Sequence, residues 1–499
     1  MEGLLNGFAI VLTPMNLLFA LAGVFLGTLV GVLPGIGPVG SMALLLGATY
    51  GLPPETAIIM FAGIYYGSMY GGSTTSILIN IPGEASAVVT AIDGNKMAKR
   101  GRAGAALSIA AIGSFIAGTI GIVLLTFLAP TLARFALRFG PPEYFCIALF
   151  GLVTLSQISG QAAWKSFIMV GVGLLIGAIG VDVITGATRM TFGLTPLQKG
   201  IDFVPLAMGF FGITEVLEAV ESKVIQKADV IKVRMRELLP NREEARRSAG
   251  PIARGSFLGF FVGLLPGPAG VISTFISYFI EKKLSKKPEE FGEGAIEGVA
   301  GPESANNSAA VGAFVPLLSL GIPFSPPTAM LLTAMLIHGI TPGPLLLSEH
   351  PQVFWGLIAS MYIGNFMLIL LNLPLVGLFV KVLKTPVNLL MPIITILCII
   401  GAYALNNSVV DVILMIIAGI VGYGLKKLSF STAPMVLALV IGPMMENSLR
   451  QSLLIAQSAG FTIFLTRPIT RLIVIVTLAI IVAPPIIKII NLRGRKKHV

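Results

Sequence analysis

The stretch Gly301-Pro-Glu-Ser-Ala-Asn-Asn-Ser308 sets a carboxylate, two amides and two hydroxyls in otherwise apolar surroundings. A looser counterpart, Gly71-Gly-Ser-Thr-Thr-Ser76, stands in the first half of the chain. Hydroxyls, amides and the free N–H groups of helix starts hold a carboxylate without a buried cation. Unwound backbone carbonyls, with Asn and Ser oxygens, coordinate Na⁺. The chemistry expected here is the binding of a small anion and an ion, with small polar helix-packing contacts as the alternative.

No catalytic constellation competes with that reading. The chain has no Gly-x-Ser-x-Gly elbow, no His-Glu-x-x-His helix and no Gly-Lys-Ser/Thr phosphate loop. The expectation is therefore a protein that is not an enzyme and carries no cofactor. His338, His350 and His498 are too scattered for a metal cluster, and Cys146 and Cys398 read as small core residues. Acids in apolar runs are candidates for function: Glu84, Glu215, Glu303, Asp411 and Glu446. Arg189 and Arg450 are candidate anion binders, with placement in loops as the alternative.

The elements that must position these groups are membrane helices. The chain of 499 residues is 55% hydrophobic and 11% charged, against about 25% charged in soluble proteins. Its net charge of +11 comes from Lys and Arg in short loops between apolar runs. That is a positive-inside pattern and not a nucleic-acid footprint. The N-terminus lacks the basic region of a signal peptide.

The sequence repeats itself. Gly23-x-x-x-Gly27-x-x-x-Gly31-Val-Leu-Pro34-Gly35 returns as Gly255-x-x-x-Gly259-x-x-x-Gly263-Leu-Leu-Pro266-Gly267, at a constant offset (263 − 31 = 232). A later pair, Ile81-Pro82 and Ile322-Pro323, matches at offset 241, which implies about nine inserted residues. Each Pro-Gly tip, near 34–38 and 266–270, predicts a re-entrant hairpin, because arms of about 11–13 residues fall short of the ~20 needed to span. A single kinked span is the alternative. Helix breaks are expected near 71–84 and 301–308, meeting at a midplane site.

Charge orients the copies in opposite senses. The second copy starts after the basic segment, and its next loop, 341–350, has no Lys or Arg. The first copy starts without positive charge, while its corresponding loop, 93–102, is basic. The fold expected is an all-α polytopic membrane protein of two inverted-topology repeats, each with a hairpin and a discontinuous helix. The repeats span 1–221 and 255–465, joined by a basic cytoplasmic linker over 222–254 and followed by a last transmembrane helix and basic tail over 466–499. About 11 crossings and two hairpins result, with the N-terminus periplasmic and the C-terminus cytoplasmic.

Three motifs of the first half carry a family resemblance: 31–38, Tyr65-Tyr-Gly-Ser-Met-Tyr-Gly-Gly-Ser-Thr-Thr-Ser-Ile-Leu-Ile-Asn-Ile-Pro-Gly-Glu84, and Asp93-Gly-Asn-Lys-Met-Ala-Lys-Arg-Gly-Arg102. Gly301–Asn307, Leu320-Gly-Ile-Pro323 and Gly442-Pro-Met-Met-Glu446 extend it through the second half. The chain thereby resembles the large membrane subunit of the tripartite tricarboxylate transporters, the TctA-like family. The resemblance implies an inner-membrane carrier that takes up organic carboxylates, coupled to Na⁺ or H⁺. It also implies a small TctB-like membrane subunit and a periplasmic TctC-like solute-binding protein as partners.

The resemblance implies substrate and ion roles for Ser73, Thr74, Thr75, Asn80, Ser304, Asn306 and Asn307, with Asn80, Asn306 and Asn307 as Na⁺ ligands. Gly35, Gly37, Gly267 and Pro323 complete the expected substrate-binding set, since glycine-rich tips let the backbone approach a ligand closely. Pro268 stands where the first copy has Ile36, so the two tips need not do equivalent work. An elevator-like carrier is the leading expectation, and a gated anion channel or membrane scaffold the alternative.

Overall fold

A computed structural model describes residues 2–33, 37–80, 82–158, 162–182, 184–222, 239–382 and 387–495. Gly35, with its neighbours Pro34 and Ile36, lies outside these residues, as do Ile81, Lys384, residues 223–238 of the basic segment and the last four residues. Among the described residues the protein is helical apart from one two-stranded antiparallel ribbon, which pairs Gly180 with Arg189 and Val181 with Thr188. Five helical segments are long and apolar enough to cross a bilayer: Pro14–Val32, Ala85–Ala136, Phe203–Glu221, Pro351–Asn372 and Val409–Lys427. A sixth is obtained if Gly460–Thr466 and Pro468–Val482, bent by 93°, form one broken span. The Pro54–Ile79 helix, at 26 residues, has the length to span but carries the polar run Ser73–Ser76.

The chain forms two compact units. The larger comprises residues 1–136, 204–265 and 269–424, and the smaller residues 137–203, 266–268 and 425–499. Each unit draws on both halves of the sequence.

Within the larger unit the repeated glycines have a direct physical role. A β-carbon on Gly23, Gly27 or Gly31 would collide with Met60, Ile64 or Ser68, respectively, of the Pro54–Ile79 helix. In the same way Gly255, Gly259 and Gly263 of the Arg242–Gly263 helix lie against the carbonyls of Gly301, Ala305 and Ala309 in the Glu297–Gly312 helix. Small residues at every fourth position let two helix backbones approach closely, the usual packing device inside a membrane. The partner lies 37 residues along in the first half (23 to 60) and 46 in the second (255 to 301). The two separations differ by nine residues, as do the two sequence offsets (241 − 232).

Three local expectations need correction. The segment 301–308 is not a break: it lies inside the continuous Glu297–Gly312 helix, Pro302 included. The break expected near 71–84 falls at the later end of that range: Gly71–Ser76 sits inside the Pro54–Ile79 helix, which ends at Asn80, in left-handed conformation (φ 58°). The polar side chains explain why the helices persist. Ser76 Oγ donates to Gly72 O at 2.9 Å and Asn307 Nδ2 to Glu303 O at 3.0 Å. Bonded back onto their own helix, they stop competing with the backbone ladder.

The stretch 93–102, expected as a basic loop, is helical too. Val88–Met97 continues through a π turn, Ala98–Arg102, kinked at Gly101 (φ 80°). Finally, the first arm of the second hairpin is not 11–13 residues long but 22, because an Asn241/Glu244 capping box starts the helix inside the basic segment. Its apolar part begins near Gly255.

Candidate substrate and ion site

The Glu297–Gly312 helix is buried from Gly298 onward, and Glu303 near its centre has no solvent exposure. Ser73, from the Pro54–Ile79 helix, donates its hydroxyl to Glu303 Oε2, and Thr90, from Val88–Met97, donates to Oε1. The polar stretches of the two sequence halves therefore touch, through Ser73 and Glu303. Ser73 Oγ also lies 3.3 Å from Met69 O in its own helix. Among the described residues no Lys, Arg or His forms an ion pair with Glu303.

One turn further along, Asn307 shares the face of Glu303. Its Nδ2 donates to Ser114 Oγ at 2.6 Å, on the Ala103–Ala136 helix. Tyr70, Ser73, Thr74, Ser114 and Asn372, with Leu107, Ala110 and Ala111, line a cavity of about 10 Å³. That space fits a single water and not a tricarboxylate. Tyr70 Oη donates to Asn365 Oδ1 at 3.0 Å, and Asn365 Nδ2 donates to Phe115 O at 2.9 Å. This face is thus pinned by side chains from four helices.

Asn306 points elsewhere. A β-carbon on Gly270 would stand 2.9 Å from Asn306 Oδ1 and 3.3 Å from Ser86 Cβ, so Asn306 faces the first turn of Ala269–Leu284, after the second Pro-Gly tip. Both polar atoms of Asn306 are buried without a hydrogen-bond partner, as are the hydroxyls of Ser277, Ser304 and Ser308. Each such group forfeits about 1–3 kcal/mol unless a partner completes its bonding, and three of these residues, Ser304, Asn306 and Ser308, stand on one helix. Glu84 Oε1 is also buried and unpartnered.

The remaining expected site residues are distributed as follows. Thr75 Oγ1 bonds Gly72 O at 2.9 Å and packs on Gly83. Asn80 is an exposed helix C-cap. Pro323 is buried just after Gly321 (φ 72°), and Gly37 (φ 60°) and Gly267 (φ 134°) take backbone angles that favour glycine.

Arg189, Arg450 and Glu446 join one network in the smaller unit. Arg450 Nη1 lies 2.9 Å from Asp182 Oδ2, Arg189 Nη1 lies 2.9 Å from Glu446 Oε1, and Arg189 also pairs with Asp182. Their charges are neutralised by one another and are not aimed at an anion. Asp411 accepts from Asn406 Nδ2 at 2.8 Å, and Glu215 is half-buried at the head of the Thr214–Ser222 helix.

Thr90 and Ser114 were not singled out by sequence. Each is a lone hydroxyl in an apolar run, and such residues occur in helices without any ligand. Only the packing partner distinguishes them.

Outside the spans, a cavity of about 390 Å³ lies among Arg246, Arg247, Arg254, Lys286 and Lys287, with Glu243, Glu281 and Glu297. Most of its charge is internally paired. Arg247 Nη2 lies 2.8 Å from Glu297 Oε2 and also bonds Glu290, and Arg254 pairs with Glu281. The hydrogen bond from Arg247 holds the Glu290 carboxyl below its ordinary range, while Glu297 and Glu290 push the guanidinium up.

Comparison with known proteins adds an independent line. The family described as "Tripartite tricarboxylate transporter TctA family" matches residues 17–437. The "Uncharacterized 52.8 kDa protein in TAR-I ttuC' 3'region" of Agrobacterium vitis is 48% identical over 476 residues, covering 95% of this chain and 94% of that protein. The "Uncharacterized protein in TAR-II ttuC' 3'region" of the same organism is 50% identical over 211 residues, 42% of this chain and 87% of that protein. No solved structure matches.

Proposed function

Since this chain belongs to the tripartite tricarboxylate transporter TctA family, we propose that it is the large permease subunit of a carrier for a small organic di- or tricarboxylate. In this reading a periplasmic TctC-like protein delivers the substrate, a small TctB-like subunit completes the membrane part, and an inward Na⁺ or H⁺ gradient drives uptake. The chain sits in the inner membrane with its N-terminus periplasmic and its C-terminus cytoplasmic. Two inverted repeats, with about 11 crossings and two re-entrant hairpins, move in an elevator-like manner. Matched glycine stripes, each clamped onto a buried helix, support that duplication.

One observation carries the reading: Ser73 and Glu303, from corresponding polar stretches of the two halves, meet in a fully buried polar centre. The substrate groups assigned to it are Ser73, Thr74, Thr75, Ser304 and Asn306, with Asn307 beside Glu303. Where Na⁺ is the coupling ion, Asn306 is the ligand the geometry favours, because both of its polar atoms lack a partner.

The test is counterflow of radiolabelled citrate, malate and succinate in proteoliposomes holding the complete three-subunit system, with and without an ion gradient. A carrier shows trans-stimulation by one of these acids, a channel shows flux without it, and a scaffold shows none. Asn306→Ala and Thr74→Ala should each lower uptake by roughly tenfold, the scale of one lost hydrogen bond to a charged ligand, with insertion unchanged.

A further inference from the structure

Glu303 is a carboxylate with no exposure, no cation in ion-pair contact and no backbone N–H partner among the described residues. Burying an ionised carboxylate this way is strongly unfavourable unless something neutralises it. The two groups that touch it, Ser73 and Thr90, are hydroxyls, which rotate and both donate and accept. The position of Ser73 is informative, since its Oγ reaches Glu303 Oε2 and, at 3.3 Å, Met69 O. One hydroxyl hydrogen cannot serve both acceptors.

Both protonation states of Glu303 are nevertheless accommodated. With the carboxylate ionised, Ser73 and Thr90 each donate to it. With a proton on Oε2, the acid donates to Ser73 Oγ, and the Ser73 hydrogen turns to Met69 O. Only hydrogens move.

The titratable and charged groups around Glu303 supply no competing neutraliser. Tyr70, from the Pro54–Ile79 helix, and Glu84 lie within its electrostatic reach. From Val88–Met97, Asp93 is already held by Tyr278 and three backbone N–H groups. From Arg242–Gly263 and Ala269–Leu284, Arg254 and Glu281 pair with each other beside Gly301. Ala103–Ala136 contributes the hydroxyl of Ser114, through Asn307.

We propose that Glu303 is the proton-coupling site of this protein, loading a proton at Oε2 from one side of the membrane and releasing it from the same oxygen to the other, with Ser73 as the hydroxyl switch. The inference rests on reading the chain as a gradient-driven carrier and narrows the coupling ion to H⁺. The step is a single proton transfer between water and the carboxylate. No other bond changes.

Infrared titration of the purified full-length chain in liposomes tests the site without any substrate. The wild type should show a carboxylic-acid carbonyl band that disappears on alkalinisation. Glu303→Gln should remove that band, and Ser73→Ala should shift its frequency and midpoint. A carbonyl band that titrates identically in the wild type and in Glu303→Gln, or no such band in the wild type, overturns the proposal.

A transport arm uses the complete system with whichever of citrate, malate or succinate it carries. An imposed pH gradient of one unit should accumulate the acid about tenfold per proton moved, and Glu303→Gln should reduce this ratio to one. Accumulation driven by Na⁺ alone, or unchanged in Glu303→Gln, overturns the proton assignment. Absence of carboxylate flux from the wild type would instead overturn the carrier reading, and the infrared result would still decide the site.

Discussion

Asp93 and Glu303 are both carboxylates with zero exposure in the same compact unit, yet their surroundings differ in kind. Asp93 Oδ1 accepts from the backbone N–H groups of Gly292, Gly294 and Ala295 at 2.7–3.0 Å, and Oδ2 from Tyr278 Oη at 2.8 Å. Backbone donors cannot reverse, so this nest requires an acceptor at Oδ1. Glu303 is met only by side-chain hydroxyls, which can. The lesson is that burial alone does not mark a functional acid. Reversible partners do.

The sharpest way to break this contrast is to remove Asp93. Asp93→Ala leaves three backbone N–H groups buried at the start of the Glu297–Gly312 helix, and should lose about 3–5 kcal/mol. Thermal unfolding of the detergent-solubilised protein, followed by size exclusion, reads the loss. Asp93→Asn keeps an Oδ1 acceptor and a group that can bond Tyr278, so it should recover more than half of it. Glu303→Gln, by contrast, should change stability by less than about 1 kcal/mol, because the rotatable hydroxyls of Ser73 and Thr90 can bond a neutral amide as well as a carboxyl. Equal destabilisation at the two positions would erase the distinction.

An intermediate effect is expected where the helix carrying Glu303 is clamped. Gly259→Ala would press a methyl group into the backbone at Ala305, and overpacking of this kind costs about 1–3 kcal/mol. Gly27→Ala makes the corresponding contact on Ile64 and should lie in the same range. A cost at one stripe only would mean that the two halves are clamped unequally. Smaller again is Ser114→Ala, which removes one acceptor from Asn307 Nδ2 while Glu303 O remains, for about 1 kcal/mol.

How much of this was legible in the sequence follows from the same contrast. The glycine spacing marked the clamped helices, and the nine residues between the 37- and 46-residue separations equal the nine between the two sequence offsets. Ser73, Glu303 and Asn307 were legible as polar groups in apolar surroundings. Their helical state was not, because a Ser, Thr or Asn side chain that caps a carbonyl of its own helix looks in sequence like one that breaks it. Asp93 was read as the start of a basic loop, since Lys96, Lys99, Arg100 and Arg102 follow it. Its partners lie about 200 residues away, at Gly292–Ala295, and no local pattern announces them. Thr90 was missed for the same reason.

The smallest effect separates fixed from adjustable charge at the solvated edge. Arg247 bridges Glu290 and Glu297, and its hydrogen bond lowers the Glu290 pKa from the ordinary 4.5. A carboxyl whose folded-state pKa is depressed contributes stability that is complete above its unfolded value and lost as pH falls through the folded one. The contribution of this pair is therefore present at neutral pH and fades below about pH 4.5. Because the Glu290 side chain is 36% exposed, solvent and salt screen it, and the gain stays below about 1 kcal/mol. Arg247→Met should abolish this acid limb of the stability profile, and high salt should flatten it in the wild type. The Asp93 nest, with its donors fixed in the backbone and no exposure, should be indifferent to salt. A salt-insensitive Arg247 pair would show that this edge is as closed to water as the nest around Asp93.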